Sequence, residues 1–316
     1  MINKHIRYAT LLTLGTAIIS GVSNFIAKIG VTAVKDPLAY TTLKNSLVAF
    51  FLVGIICILH KYKEVIRLNF GQIIKLCAVG IIGGSIPFAL FFTGLAKTSA
   101  INAALIHKTL FFWVILLSVF ALKERLNIFA GTGVILIFAA NLFVGGFTGF
   151  KFNTGELMIL AATVLWAVEN IIAKKALQDI SSVIVSGARM VIGSAILFGI
   201  MLLFGDVSQI SRLDSAGWGW IIVSSILLLG YVLTWYTALK YAPAWYVATL
   251  LAPATLVTNV LSVIFITHSM AWQQVVSGGL YVFGALIIAV FARRTFKSEI
   301  RNPKSETNSN TQISNI

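Results

Sequence analysis

Two ionisable side chains in an otherwise hydrocarbon stretch are the first residues in this chain that could do chemistry. His107 and Lys108 lie in SAINAALIHKTLFFWVILLSVF, Ser99 to Phe120. An ammonium at the middle of such a segment costs roughly 2.5–3.5 kcal/mol to place in a bilayer. Lys108 must therefore face protein, water or a ligand, where it would attract a carboxylate or phosphate or carry a proton. The competing reading is a buried cation held by a carboxylate or by carbonyls for packing alone. Neighbouring helical residues point about 100° apart, so Lys108 is expected to face a cavity. His107 either joins it or has a hydrogen-bonded packing role. Ala100, Ala103 and Ala104 leave room for a neighbouring backbone.

The other polar residues within apolar runs fall into a few chemical types. Glu169 is expected as a proton acceptor, or as counter-charge to Lys108 or Arg189, against a purely structural ion pair. Asn24 and Asn170 suit either substrate binding or hydrogen bonding between helices. Lys44 and Arg189 could hold anionic groups at two gates, or snorkel to the nearer interface. Lys28 and Lys174 lie near segment ends, where snorkelling or a gate role fits. Glu124 sits between Lys123 and Arg125 at a segment boundary, where solvation or a lid would explain it. Pro87 and Pro253 fall inside helical patterns and are expected to kink them, as hinges or as static shape. Trp166 and Trp235, with Trp113 and Trp245, would wall a cavity or fill the core, whereas Trp218, Trp220 and Trp272 read as interface anchors.

The elements that must carry these residues are membrane helices. The 316 residues are 58% hydrophobic and 11% charged, where a soluble protein carries about 25% charge, and the mean hydropathy is +0.93. Apolar runs of about 20 residues recur, which implies spanning helices rather than a barrel. Ten are expected, at about 8–30, 38–59, 72–95, 99–120, 126–146, 154–176, 183–204, 217–240, 244–267 and 272–293. The first reads as a retained helix rather than a cleaved signal. The polar residues 294–316 read as a disordered cytoplasmic tail. Cys57 and Cys77 both fall in spans and suggest neither a disulfide nor a metal site. No zinc spacing, phosphate-cradling glycine loop or nucleophile elbow occurs. No metal, cofactor or nucleic acid is expected, and the net charge of +14 is assigned to basic loops.

Those loops set an orientation. With the N-terminus in the cytoplasm, fifteen Lys and Arg fall inside, four outside and five within spans, the asymmetry of a multi-pass plasma-membrane protein with both termini cytoplasmic. An internal repeat is also visible. LGTAIISGVSNFIAKIG, from Leu14, matches LAATVLWAVENIIAKKA, from Leu160. Asn24 falls on Asn170, Lys28 on Lys174, Lys44 on Arg189 and Thr109 on Pro253. Two copies are expected, 8–149 and 150–293, with five spans each. An odd number makes the second copy enter from the opposite side, the inverted repeat of many secondary transporters.

With these features the chain resembles the EamA family of the drug/metabolite transporter superfamily. The resemblance rests on the two five-span copies, N-F/I-I-A-K late in each copy's first helix, LKERL at Leu122 to Leu126 closing the fourth span, and Gly131 and Gly133 opening the fifth. It implies an all-α fold of ten transmembrane helices in two inverted five-helix repeats around a central cavity. It also implies export or uptake of small metabolites, with no cofactor; an intramembrane enzyme ranks last on the residues themselves, which show no recognisable nucleophile–base pair or metal cluster. The chain departs from the family pattern in its second copy. ITHSMAWQQ supplies no acid to match Glu124, and Leu251 and Ala252 stand where the first copy has His107 and Lys108. The buried cations outnumber the buried acid, so the expectation is alternating-access carriage of a polar anionic or zwitterionic metabolite, coupled to protons or to exchange. The rival expectation is a membrane scaffold or lipid-handling protein without solute turnover. Oligomeric state is not legible.

Overall fold

Side-chain caps at the segment boundaries start several of the helices. In the computed structural model, which describes residues 2–126, 128–143, 149–150, 152–205 and 207–301, the first element α1 (Ile2–Val34) runs to a turn where Asp36 accepts the Leu38 and Ala39 N–H groups at 2.8 and 3.2 Å. That cap opens α2 (Pro37–Ile58). The short α3 (Tyr62–Ile66) then leads to a reciprocal Asn69–Gln72 capping box that begins α4 (Phe70–Ala78). A π-helical turn (Val79–Gly83) carries the third span into α5 (Ile86–Leu95). The fourth span is two helices, α6 (Ala100–Lys108) and α7 (Leu110–Ala121). The fifth is α8 (Ile128–Leu142).

The second copy repeats this order. Asn153 caps α9 (Thr154–Ala176), and α10 (Ser182–Phe204) follows. After the single turn α11 (Ser208–Ser211), Asp214 caps α12 (Ser215–Tyr241). The ninth span divides into α13 (Ala244–Leu251), α14 (Ala254–Ser262) and a closing π-helical turn, Val263–Thr267. The last helix is α15 (Trp272–Arg301). Among the described residues, nine segments are long and apolar enough to cross a bilayer, and a shorter apolar stretch, Ala130–Asn141, stands at the fifth position. The end of the expected fifth span, residues 144–146, and the expected tail beyond 301 lie outside the described residues, whereas the first part of that tail, residues 294–301, is not irregular but continues the backbone helix of α15.

Packing shows how the halves relate. α1 packs on α12 and on α13 and α14, and its repeat partner α9 packs on α5 and on α6 and α7. α2 meets α12 as α10 meets the π-helical turn of the third span, and α2–α10 and α8–α15 pair each element with its own counterpart, while the fourth and ninth spans meet through α7 and α13, a contact whose repeat equivalent, α14 with α6, is not among the principal ones. The principal contacts are thus preserved when each span is exchanged for the one five places on. The sense of the relation is fixed where α8 crosses α15. Gly133 abuts Gly284 backbone to backbone, and the Ser277 hydroxyl donates to the Ala140 carbonyl at 2.8 Å. Low numbers meet high ones at both points, so the two helices run antiparallel, as inverted copies require. Copies the same way up would place them parallel.

One end of the bundle, the basic end, carries Lys61, Lys63, Arg67, Lys123, Arg125, Lys174, Lys175 and Lys240. It is sealed by fully buried side chains, among them Tyr236, Leu239, Trp245, Tyr246 and Leu250. The outward surface, with Phe50, Phe120, Leu203, Phe204 and Phe283 exposed, is the apolar face a lipid environment solvates.

Candidate functional site

The site is built from breaks in three spans. In the fourth, the helix stops at Lys108, and Thr109 stitches the break by donating to the Ile106 carbonyl (2.6 Å) and accepting from Trp113 Nε1 (3.1 Å). In the ninth, α13 stops at Leu251 and Pro253, which has no N–H to give, precedes α14. The breaks fall at equivalent places in the two copies, so His107 and Lys108 on one side and Leu251 and Ala252 on the other flank the same central space. In the third span, the π-helical turn turns the Gly83 carbonyl toward that space. There it accepts from Trp166 Nε1 at 3.1 Å and Arg189 Nη2 at 3.2 Å. Pro87 and Pro253 are therefore not kinks within helices, as the sequence pattern suggests. Both stand where a new helix begins, a position at which the missing N–H is costless.

These breaks enclose a cavity of about 330 Å³. All nine residues expected from the sequence to bind substrate line it: Lys108, His107, Lys44, Arg189 and Glu169, the amides Asn24 and Asn170, and the indoles Trp166 and Trp235. Repeat-equivalent residues enter it in pairs: Lys44 with Arg189, Asn24 with Asn170, Ser23 with Glu169, His107 with Leu251, Lys108 with Ala252. Three formal cations thus face one carboxylate. Glu169 is held by the Tyr236 hydroxyl at 2.5 Å. It makes no ion pair with Lys108 or Arg189, because the pairs within 4.0 Å among the described residues are Lys61–Glu64 and Lys75–Asp179. Asn170 ties the Trp235 indole to α9, accepting from Trp235 Nε1 at 3.2 Å and donating to the main-chain carbonyl of Trp166 one turn back at 2.9 Å. Two buried atoms of the lining lack protein partners, Arg189 Nε and His107 Nδ1. The site therefore presents an unpaired guanidinium N–H, and an imidazole nitrogen without a protein partner, to whatever occupies it.

Several expectations need correction. His107 and Lys108 both reach the cavity: they form the last positions of α6, and the space beyond the helix end receives both side chains although they leave the axis about 100° apart. His107 does so with its ring edge-on to Trp166, centroids 4.9 Å apart. Lys44 and Arg189 occupy one cavity rather than two gates. Ala104 is exposed and takes no neighbouring backbone, whereas Ala103 packs with Ile159. Trp245 is core, and Trp113 lines a separate apolar groove. Glu124 is not merely solvated: it accepts the Ala244 and Trp245 N–H groups of α13 at 2.9 and 3.3 Å. Burial pushes its carboxyl above the usual range, against the pull of those N–H groups and of Lys174. Lys174 does not snorkel, and donates to the Leu239 and Ala242 carbonyls at 2.6 and 2.7 Å. Lys28 is exposed and off the cavity lining.

Tyr231, Asn141 and Phe88 also line the cavity and were not singled out from the sequence. Tyr231 stacks on Trp235 with ring planes 6° apart. Asn141 carried the same signal as Asn24, an amide in an apolar run, whereas Tyr231 and Phe88 look like ordinary core.

Toward the basic end the cavity has a floor, since α7 and α13 pack together and the Thr10 and Tyr246 hydroxyls meet at 2.9 Å. Toward the other end the half-helices part: α6 has α5, α7, α8 and α9 as principal neighbours, and α14 has α1, α15 and the π-helical turn that closes its span. The lining there continues through Ser20 and Ser23 to Asn24, which is exposed.

Comparison with known proteins agrees with this architecture. The model of the EamA-like transporter family matches twice, over residues 7–146 and 153–290. An uncharacterized transporter of Methanothermobacter thermautotrophicus is 25% identical over 152 residues, 46% of this chain but only 44% of that protein. The uncharacterized transporter YyaM of Bacillus subtilis is 26% identical over 260 residues, 79% of this chain and 81% of its own. The uncharacterized transporter sll1164 of Synechocystis is 25% identical over 253 residues, 76% and 71% of the two chains. A solved crystal structure of a protein superposes with a TM-score of 0.77 at 19% identity, covering 90% of this chain and 97% of that one, which shows the shared fold.

Proposed function

The chain belongs to the EamA-like transporter family, and from that premise we propose that it is a secondary transporter carrying a small anionic or zwitterionic metabolite by alternating access. The observation that carries this reading is the convergence of repeat-equivalent residues from both halves on one cavity, with Lys44, Lys108 and Arg189 set against the single carboxylate of Glu169. A donor-rich, partly apolar pocket favours a ligand rich in acceptors, because its buried N–H groups are satisfied only when such a ligand or water is present. Two inverted copies around such a pocket provide the means of carriage, since the arrangement of one half can be exchanged for that of the other. The protein sits in the plasma membrane with both termini in the cytoplasm, on the strength of its basic loops, so the basic end faces inward. Turnover draws on a proton gradient or on exchange.

The test is flux into liposomes from a panel of organic acids, amino acids and phosphorylated metabolites, with and without a proton gradient. At least one should be carried, and Lys108→Ala should lower its flux by about tenfold or more while the protein still elutes as a single species. Flux of every compound at the rate of empty vesicles would overturn the reading.

A further inference from the structure

At the basic end, the turn between α12 and α13 is gripped from both sides by charge. Lys174 donates to the last carbonyls of α12, Leu239 and Ala242. Glu124 accepts the first N–H groups of α13, Ala244 and Trp245. Each charge sits at the helix end of opposite partial charge, where main-chain groups lack intrahelical partners. Glu124 belongs to the first copy and grips the second, which ties the halves across the basic end, whereas Lys174 and the carbonyls it holds all lie in the second copy and fix the turn that Glu124 grips.

The repeat locates the counterpart of this clamp at the other end. Lys28 is the equivalent of Lys174. Continuing the register that places Thr109 on Pro253 puts Leu95 and Thr98 at Leu239 and Ala242, and His268 at Glu124. In the structure that counterpart is open. Lys28 and His268 are both exposed, and among the described residues the Lys28 side chain makes no hydrogen bond or ion pair.

We propose that Lys174 and Glu124 form the lock that closes the basic end, and that Lys28 makes the reciprocal grip on the Leu95 and Thr98 carbonyls when the cavity faces the basic end. The second lock has a cation but no carboxylate, because His268 stands in the acid's place. One scaffold thereby carries two unequal gates, and the state closed at the basic end is the better held. This inference rests on the alternating-access reading and adds to it which residues hold each state and why the two states differ in population.

The experiment reads conformation without a substrate, so its failure is separable from failure of the transport assay. In a background lacking Cys57 and Cys77, Ala248→Cys places a thiol on the cavity lining, and an impermeant maleimide is offered from each side of oriented vesicles. Glu124→Gln and Lys174→Ala should raise labelling from the basic side about tenfold, the loss of roughly one charge-assisted hydrogen bond. His268→Glu, a change at an exposed position, should act in the same direction by strengthening the other lock, and adding Lys28→Ala should cancel it. Unchanged labelling in Glu124→Gln and Lys174→Ala overturns the basic-end lock. A His268→Glu effect that is absent, or that persists without Lys28, overturns the reciprocal one. Should the first two variants fail to fold, the His268→Glu pair decides alone.

Discussion

At the scale of single residues, the cavity sorts into groups that hold its shape and groups that hold its charge. Asn170 belongs to the first. Its amide bridges Trp235 Nε1 and the Trp166 carbonyl, so Asn170→Leu strands a buried indole N–H at a cost of about 1–3 kcal/mol. The expected outcome is a clear fall in unfolding temperature in detergent together with lost ligand binding. Glu169→Gln keeps the length of the side chain and an oxygen for the Tyr236 hydroxyl, and removes the one negative charge. It should unfold within a degree or two of wild type, while flux shifts further toward anions; a large loss of thermal stability would show the carboxylate to be structural. The cations and Glu169 were legible in the sequence, because charge in a hydrocarbon run is costly and demands a reason. Tyr231 and Phe88 were not, since an aromatic ring in a span has the same cost whether it walls a cavity or packs in the core.

At the scale of elements, close approach between helices is set by glycine in a few places. A Cβ on Gly84 would lie 2.5 Å from the Arg189 carbonyl oxygen and 2.7 Å from the Gly193 Cα, backbone atoms that cannot swing aside. Gly84→Ala should therefore part the third and seventh spans, cost about 1–3 kcal/mol and displace Arg189 from Gly83. Gly54→Ala meets nothing within 4 Å and should be neutral or slightly stabilising. Both are read from thermal unfolding. A loop element gives a pH signature. Glu64 of α3 accepts the Ser181 N–H at 2.8 Å, ahead of α10. Partial burial acts to raise its carboxyl, but the Ser181 N–H and the Lys61 ammonium prevail and hold it below the ordinary value of 4.5. A lowered carboxylate stabilises above its unfolded value, and that share is lost as pH falls through the folded one. The stability gap between wild type and Glu64→Gln should thus be full at neutral pH and shrink as pH falls below the ordinary carboxyl value of 4.5. The spans themselves were legible as apolar runs, to within a few residues at most ends. The break at Thr109 was not, because threonine ends no helix by itself; only its repeat partner Pro253 carries a breaking signal.

At the scale of the molecule, the two-fold relation says which interfaces must change during turnover and which need not. Exchanging the conformations of the two copies exchanges every contact for its repeat equivalent. A contact whose equivalent is already made survives the exchange, and one whose equivalent is absent must break. The crossing of α8 and α15 is of the first kind: in the register that sets Thr109 on Pro253, Gly133 falls on Ser277 and Ala140 on Gly284. The Gly133–Gly284 contact therefore becomes the Ala140–Ser277 contact, and both already exist. The grip of Glu124 on Ala244 is of the second kind, because its counterpart at His268 is open. A cross-link between Ala140→Cys and Ser277→Cys should then leave flux within about twofold of the same protein before bridging. A short thiol linker between Glu124→Cys and Ala244→Cys should stop it. Arrest by the first bridge would mean that α8 and α15 slide during the cycle and that the molecule does not move as two exchangeable halves about a fixed crossing.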